Sequence, residues 1–284
     1  MFWNNRITEG KLRISDHGFL CPNYLSPSAL MAWERDGGET WYSRYILGEN
    51  DLSAYQVHMD VGTWFDYLIK EKLGHVIPDV AVCDEGRRIG SEVYAWYLKS
   101  GMLADLVRAI GDNTDGVICE STVEGTTPNG TPLLGKPDMY WLTDVPVILD
   151  WKCNGIAGSL VSPKARYVDR YPKRGPHKDV MPVRVGGVMV GSSKASDWET
   201  QLGTYLMSLG HQSGIGVIHQ MTRARDRSFQ GTVYGYRLDC TGLAERYDRM
   251  WDHLSMGHYW PDMSLDEARA RDRLLRGEGS LKLF

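Results

Sequence analysis

Apolar positions recur at helical spacing through the first third of the chain, give way to strand-like runs in the middle, and return to helical spacing towards the end. Residues 1–25 carry little apolar periodicity and read as irregular. Ser26-Pro27-Ser28 then supplies an N-cap with proline at the first helical position. Leu30, Met31 and Trp33 follow on a short helix that Gly37-Gly38 ends. A second helix carries Trp41, Tyr42, Tyr45 and Ile46 and stops at Gly48. Val61, Trp64, Phe65, Leu68 and Leu73 mark a third, closed by Gly74, and a longer stretch from about Gly86 to Ile110 is interrupted near Gly101.

The pattern changes at residue 116. Val117-Ile118-Cys119-Glu120 begins a strand, Pro128-Asn129-Gly130 signals a turn, and Leu133 to Leu142 reads as the returning strand. Asp144-Val145-Pro146 turns again into Val147-Ile148-Leu149-Asp150-Trp151, a buried central strand by its continuous apolar run. A helix over about 196–209 carries Trp198, Leu202, Tyr205, Leu206 and Leu209 on one stripe and stops at Gly210. Strands over 214–221 and 231–239 and helices near 241–256 and 264–275 complete the chain. This order predicts one α/β domain over 1–284, with a helical part at 26–110, a core at 116–240 and terminal helices over 241–284.

Composition adds few constraints, and charge adds one. The 284 residues suffice for a substantial core, and 42% hydrophobic with 24% charged residues is ordinary for a globular protein. No run resembles a signal peptide or reaches transmembrane length, so a cytoplasmic location without membrane partners is expected. Cys21, Cys83, Cys119, Cys153 and Cys240 are scattered and read as buried or half-buried thiols rather than disulfides or a zinc site. His58, His75 and His211 fall near helix ends, and the histidines show neither metal-ligand nor triad spacing. Net charge is −4, but residues 155–194 hold Lys164, Arg166, Arg170, Lys173, Arg174, Lys178, Arg184 and Lys194 against Asp169 and Asp179. That insertion is +6 and the remainder of the chain −10. With Tyr167 and Tyr171 among its cations, the segment suits phosphate contact and base stacking; a solvated loop balancing an acidic body is the alternative.

The candidate chemistry lies just before that insertion. Side chains i and i+2 share one face of a strand, so Asp150 and Lys152 point together while Trp151 faces the other way. Asp138 lies on the preceding strand, which the Asp144-Val145-Pro146 turn folds back beside Asp150. Two carboxylates can hold a hard divalent ion, and a neighbouring lysine can orient water or stabilise developing charge. The short pattern is weak alone, because the chain holds three Pro-Asp dipeptides and a second acid-x-Lys triplet, Glu9-Gly10-Lys11. Only Asp138, Asp150 and Lys152 combine the order, separation and strand-turn-strand setting; a turn aspartate with an ordinary salt bridge fits the same residues.

Further motifs stand in a defined order: Ser26-Pro27-Ser28-Ala29-Leu30, an aromatic helix ending at Gly48, Gly62-Thr63-Trp64-Phe65-Asp66, Gly135-Lys136-Pro137-Asp138, Asp150-Trp151-Lys152 and Gln201-Leu202-Gly203-Thr204-Tyr205. Over residues 26–205 this series resembles the RecB-type, phage-type exonuclease branch of the PD-(D/E)XK nuclease superfamily. The resemblance implies a restriction-endonuclease-like α/β core, a central mixed sheet flanked by helices. It implies an Mg²⁺- or Mn²⁺-dependent exonuclease acting on DNA ends in recombination or repair, leaving 5′-phosphates.

In that reading Asp138 and Asp150 ligate the ion with the Trp151 carbonyl, and Glu120 or Asp66 assists. Lys152 orients water, Gln201 and Tyr205 position the lysine and phosphate, and Ser28 contacts DNA beside Lys164, Arg166, Arg170, Lys173, Arg174 and Lys178. Two departures stand out. Asp66 occupies the place of a helix histidine that ligates metal in many relatives, so it is either a ligand or a solvated helix acid. The iron–sulfur cysteines of some relatives are absent, so no iron–sulfur cluster is expected. A single-strand annealing or binding protein and a second copy of the chain are the implied protein partners. An endonuclease with the same site, and a DNA-binding protein without catalysis on the same fold, are the alternatives.

Overall fold

A computed structural model describes residues 10–49, 56–76, 78–111, 116–119, 121–154, 156, 167–169, 183–185, 188–190, 197–223 and 228–277. It is a mixed α/β structure whose central sheet is flanked by helices. The sheet contains β3 (Val117–Cys119), β6 (Met139–Trp141), β7 (Val147–Asn154), β11 (Ser213–Arg223), β12 (Phe229–Asp239) and β8 (Tyr167–Asp169), side by side in that order. β7 and β11 run parallel, as do β12 and β8, and the other neighbours are antiparallel. Small antiparallel pairs lie outside it: β1 (Leu12–Ile14) with β2 (Leu20–Pro22), β4 (Val123–Thr126) with β5 (Pro132–Gly135), and β9 (Val183–Val185) with β10 (Val188–Val190).

Helices cover both faces of the sheet. α1 (Pro27–Arg35), the turn α2 (Glu39–Trp41) with the π-helix Tyr42–Leu47, α6 (Asp197–Ser208), α7 (Thr241–Ser255) and α8 (Leu265–Leu275) pack on one side. α3 (Gln56–Lys72), α4 (Asp84–Ser100) and α5 (Met102–Ile110) pack on the other. The alternation of β7 decides which residues meet which layer: Ile148 joins the first core, whereas Leu149 and Trp151 join the second. Asp150 and Lys152, in phase with Ile148, therefore face α6.

The helix stops lie where the glycines place them. Ser26 caps α1 by accepting the Ala29 N–H, and Gly48 ends the π-helix in left-handed conformation. Gly101, at φ 90°, separates α4 from α5. Gly38 stands at φ 94°, and a Cβ there would lie 2.1 Å from the Tyr259 carbonyl, so the chain must pass there bare. The Tyr42 hydroxyl reaches back to Asp272 Oδ1 at 2.7 Å and ties the π-helix to α8.

Three expectations need correction. Residues 10–25 hold the β1–β2 hairpin rather than irregular chain; three-residue strands are too short to show a period. The returning strand over 133–142 is two strands, β5 and β6, broken at Lys136-Pro137-Asp138, because proline has no N–H for a ladder. Among its described residues the insertion at 155–194 holds the short strands β8, β9 and β10, with β8 at the far edge of the sheet. None of the five cysteines forms a disulfide; Cys21 and Cys240 are buried and the rest half-buried. Among the described residues no helix is long and apolar enough to cross a membrane.

Candidate active site

The β6–β7 register builds the site. Met139 pairs with Leu149 as the last ladder step, and the Asp138 side chain takes the next donor: its Oδ2 accepts the Trp151 N–H at 2.8 Å. Pro137 ends the backbone ladder, and the carboxylate replaces it. Asp138 is thereby held against β7 two residues from Lys152, with its side chain 25% exposed and open to a cleft.

Asp150 is almost fully buried, at 2% exposure. Its Oδ1 accepts from Gln201 Nε2 at 3.0 Å, and its Oδ2 lies 2.5 Å from Lys152 Nζ. The Lys152 ammonium is the partner of that second oxygen. Burial pushes the Asp150 carboxyl up to about 7, and the Asp138 charge adds to the rise while Lys152 opposes it. Burial pulls the Lys152 ammonium down, but Asp150 and Asp138 outweigh it and the group ends above its ordinary value. Lys152 is cationic at neutral pH, and Asp150 is poised to ionise when a second cation arrives.

α6 supplies the opposite wall. Gln201 and Tyr205 are one turn apart and share a face, and Gln201 Nε2 also donates to the Tyr205 hydroxyl at 2.8 Å. Both amide protons are thus committed, and the phenol, which accepts, keeps its own proton to donate into the cleft. Burial, then the Asp150 charge, raises the Tyr205 pKa, so the phenol stays protonated. Gly135 explains the ring's position: a Cβ there would lie 2.7 Å from Tyr205 Cδ1. The glycine of one sequence motif therefore makes room for the tyrosine of another.

The cleft, of about 260 Å³, is lined by Asp66, Asp138, Asp150, Lys152, Gln201 and Tyr205 with Gly62 and Cys153. A second cleft of about 390 Å³ shares Gln201 and Tyr205 and adds Ser26, Ser28 and Lys136. Ser28 Oγ lies 3.0 Å from both Ser26 Oγ and the Tyr45 hydroxyl. Seven of the expected residues, Asp66, Asp138, Asp150, Trp151, Lys152, Gln201 and Tyr205, thus line one cleft, and Ser28 lines its neighbour. Glu120, Lys164, Arg166, Arg170, Lys173, Arg174 and Lys178 lie outside the described residues.

Two groups escaped sequence reasoning. Lys70 is fully buried beside Asp66 and Asp138, and the i,i+4 spacing from Asp66 was its available signal. His219 is buried behind the site, with Nδ1 2.7 Å from the Tyr97 hydroxyl, which also accepts from Trp151 Nε1 at 3.3 Å. Its neighbours are 122 and 68 positions away, so no local pattern announces them.

The donor set fits a hard divalent ion. Asp138 is partly exposed, and it lines one cleft with the buried Asp150. Two carboxylates with water or a carbonyl are typical of a magnesium site. Among the described residues no group of three or more His, Cys, Asp or Glu converges to hold a metal.

No family model matches this chain, and no curated protein is similar to it. Among solved structures, the crystal structure of SSO0001 is 14% identical, covering 74% of this chain and 87% of its own, with a TM-score of 0.28. At that score the likeness carries no argument about fold or activity.

Proposed function

We propose that this chain is a divalent-metal-dependent deoxyribonuclease of the PD-(D/E)XK kind, acting as an exonuclease on DNA ends. The observation that carries the reading is Asp150: a buried carboxylate paired with a lysine on the same strand face and set beside a second aspartate on the neighbouring strand, all three lining one cleft. A carboxylate buried at such cost and opening on a cleft is the mark of a reactive group. The basic segment that follows Lys152 suits a polyanionic substrate.

Asp138 and Asp150, with the Trp151 carbonyl, would hold Mg²⁺ or Mn²⁺. The bound ion would supply an acidified water and charge neutralisation at the phosphate. Lys152, ionised and fixed against Asp150, orients the attacking water and offsets charge developing on the phosphoryl oxygens. Tyr205 donates its phenolic proton to a phosphate oxygen, and Gln201 locks both Asp150 and Tyr205 in place. Ser28, in the adjoining cleft, lies where the strand would continue past the cut.

Digestion of end-labelled linear and covalently closed circular DNA, single- and double-stranded, tests this with Mg²⁺, Mn²⁺ or EDTA. Metal-dependent loss of linear DNA alone, abolished in Asp150→Ala and Lys152→Ala, is expected. Cutting of closed circles would replace the exonuclease with an endonuclease. DNA binding without cleavage under any metal would sink the catalytic reading and leave a binding protein.

A further inference from the structure

A second lysine stands in the site. Lys70 has no exposed side-chain surface, and its ammonium contacts Asp66 Oδ2 one helical turn earlier on α3. It lies 4.0 Å from Asp138 Oδ1 and 6.0 Å from the centre of the Trp151 ring. Lysine is almost never fully buried unless its charge is paired, and here two carboxylates pair it. Across the cleft Lys152 stands against Asp150 in the same manner. Three aspartates and Lys152 line the cleft, Lys70 is buried against two of those aspartates, and together the five carry a formal charge of −1.

We infer that Lys70 is a built-in cation, holding the place between Asp66 and Asp138 that a second divalent ion would need, so that the site accepts one ion only. The inference rests on the nuclease reading above. A single divalent ion turns the lining from −1 to +1, which one phosphodiester charge neutralises. A second ion would bring the lining to +3 and would sit against a buried ammonium that cannot retreat into water. Asp66 is then a positioning residue, acting through Lys70 on Asp138.

The test counts Mn²⁺ bound to the full chain, by calorimetry and by electron paramagnetic resonance of free and bound ion. Wild type, Asp150→Asn, Lys70→Met and the double variant Asp66→Asn/Lys70→Met are compared. One ion is expected in wild type and none in Asp150→Asn. Two are expected in Lys70→Met, with a spin-coupled manganese signal. The double variant removes one charge of each sign, restores −1 and returns to one ion. Two ions in wild type, or one in a folded Lys70→Met, would overturn the inference and leave the nuclease reading standing. No ion in wild type would overturn both. Should Lys70→Met fail to fold, the wild-type count and the presence or absence of the coupled signal decide alone.

Discussion

Two buried aspartates, one between helices and one at the sheet, show how differently the fold treats the same side chain. Asp60 on α3 is 4% exposed, and its Oδ2 accepts the Cys83 N–H at 2.9 Å while its Oδ1 accepts from Gln56 at 2.7 Å. Those bonds, the Cys83 backbone N–H foremost, hold its carboxyl below the ordinary range. Asp150 sits far deeper among protein atoms, and burial drives it up to about 7. The difference is depth first and the kind of donor second: a backbone N–H and an amide at Asp60, an amide and an ammonium at Asp150. Asp60 clamps the start of α4 to α3, where Gly86 approaches so closely that a Cβ would stand 2.4 Å from Asp60 Cβ. Asp150 pairs with Lys152 only at a high cost in desolvation, and a fold retains such a costly group when chemistry needs it.

The largest expected effect separates the two directly. Asp150→Asn should lower DNA cleavage by about three orders of magnitude or more, since it removes a charged ligand. The same change should lower the midpoint of thermal unfolding by about 5 °C in chelator at pH 8, because it strips the buried Lys152 ammonium of its partner. Asp60→Ala should separate stability from cleavage. It should cost about 2–3 kcal/mol, lowering the midpoint by about 5 °C, and leave cleavage by folded protein at low temperature unchanged. Parallel melting curves and rate measurements check both. If Asp60→Ala also slows cleavage by folded protein, the contrast between a structural and a reactive carboxylate is wrong.

That contrast was half legible in the sequence. The strand phase of Asp150 and Lys152, the return of Asp138 to their side and the pairing of Gln201 with Tyr205 follow from periods of two and about four residues, which local sequence carries. The helix stops at Gly48 and Gly101 were equally plain, because left-handed backbone needs glycine. What stayed hidden depends on distant parts of the chain. Lys70 reads as one more helix lysine until Asp138, 68 residues on, is seen beside it. The break between β5 and β6 was visible in Pro137, but the use of the Asp138 carboxylate as the next ladder acceptor depends on the register with β7. A Pro-Asp pair gives the break, and only the folded sheet gives its purpose.

His219 sharpens the comparison with a third buried titratable group, on β11 opposite Trp151. Burial holds its pKa down to about 3, against 6.5 for an unhindered imidazole. A depressed value means that the unfolded chain takes up a proton first, so this contribution to stability is present above pH 6.5 and is lost as pH falls towards 3. Between pH 7 and pH 5 the loss should be about 2 kcal/mol. Urea unfolding of wild type and His219→Gln across that range should give a shallower decline in the variant. Identical slopes would show that the imidazole becomes charged without difficulty where it stands.

The smallest effect probes the link between the Asp150 carboxylate and its neighbours. Gly135→Ala places a methyl group 2.7 Å from Tyr205 Cδ1 and 3.2 Å from Val123 Cγ2, in a strand whose backbone accepts alanine. The ring must move by a fraction of an ångström, at a cost of about 1 kcal/mol. Because Gln201 bonds both Tyr205 and Asp150, the displacement travels to the carboxylate without touching it. Cleavage should fall about tenfold, in keeping with the sensitivity of reaction rates to small misplacements. Tyr205→Phe supplies the control: combined with Gly135→Ala it should lose no more than it loses alone, since the two act on one bond. Additive losses in that cycle would mean that Gly135 matters only for packing and that Tyr205 does not carry its effect to Asp150.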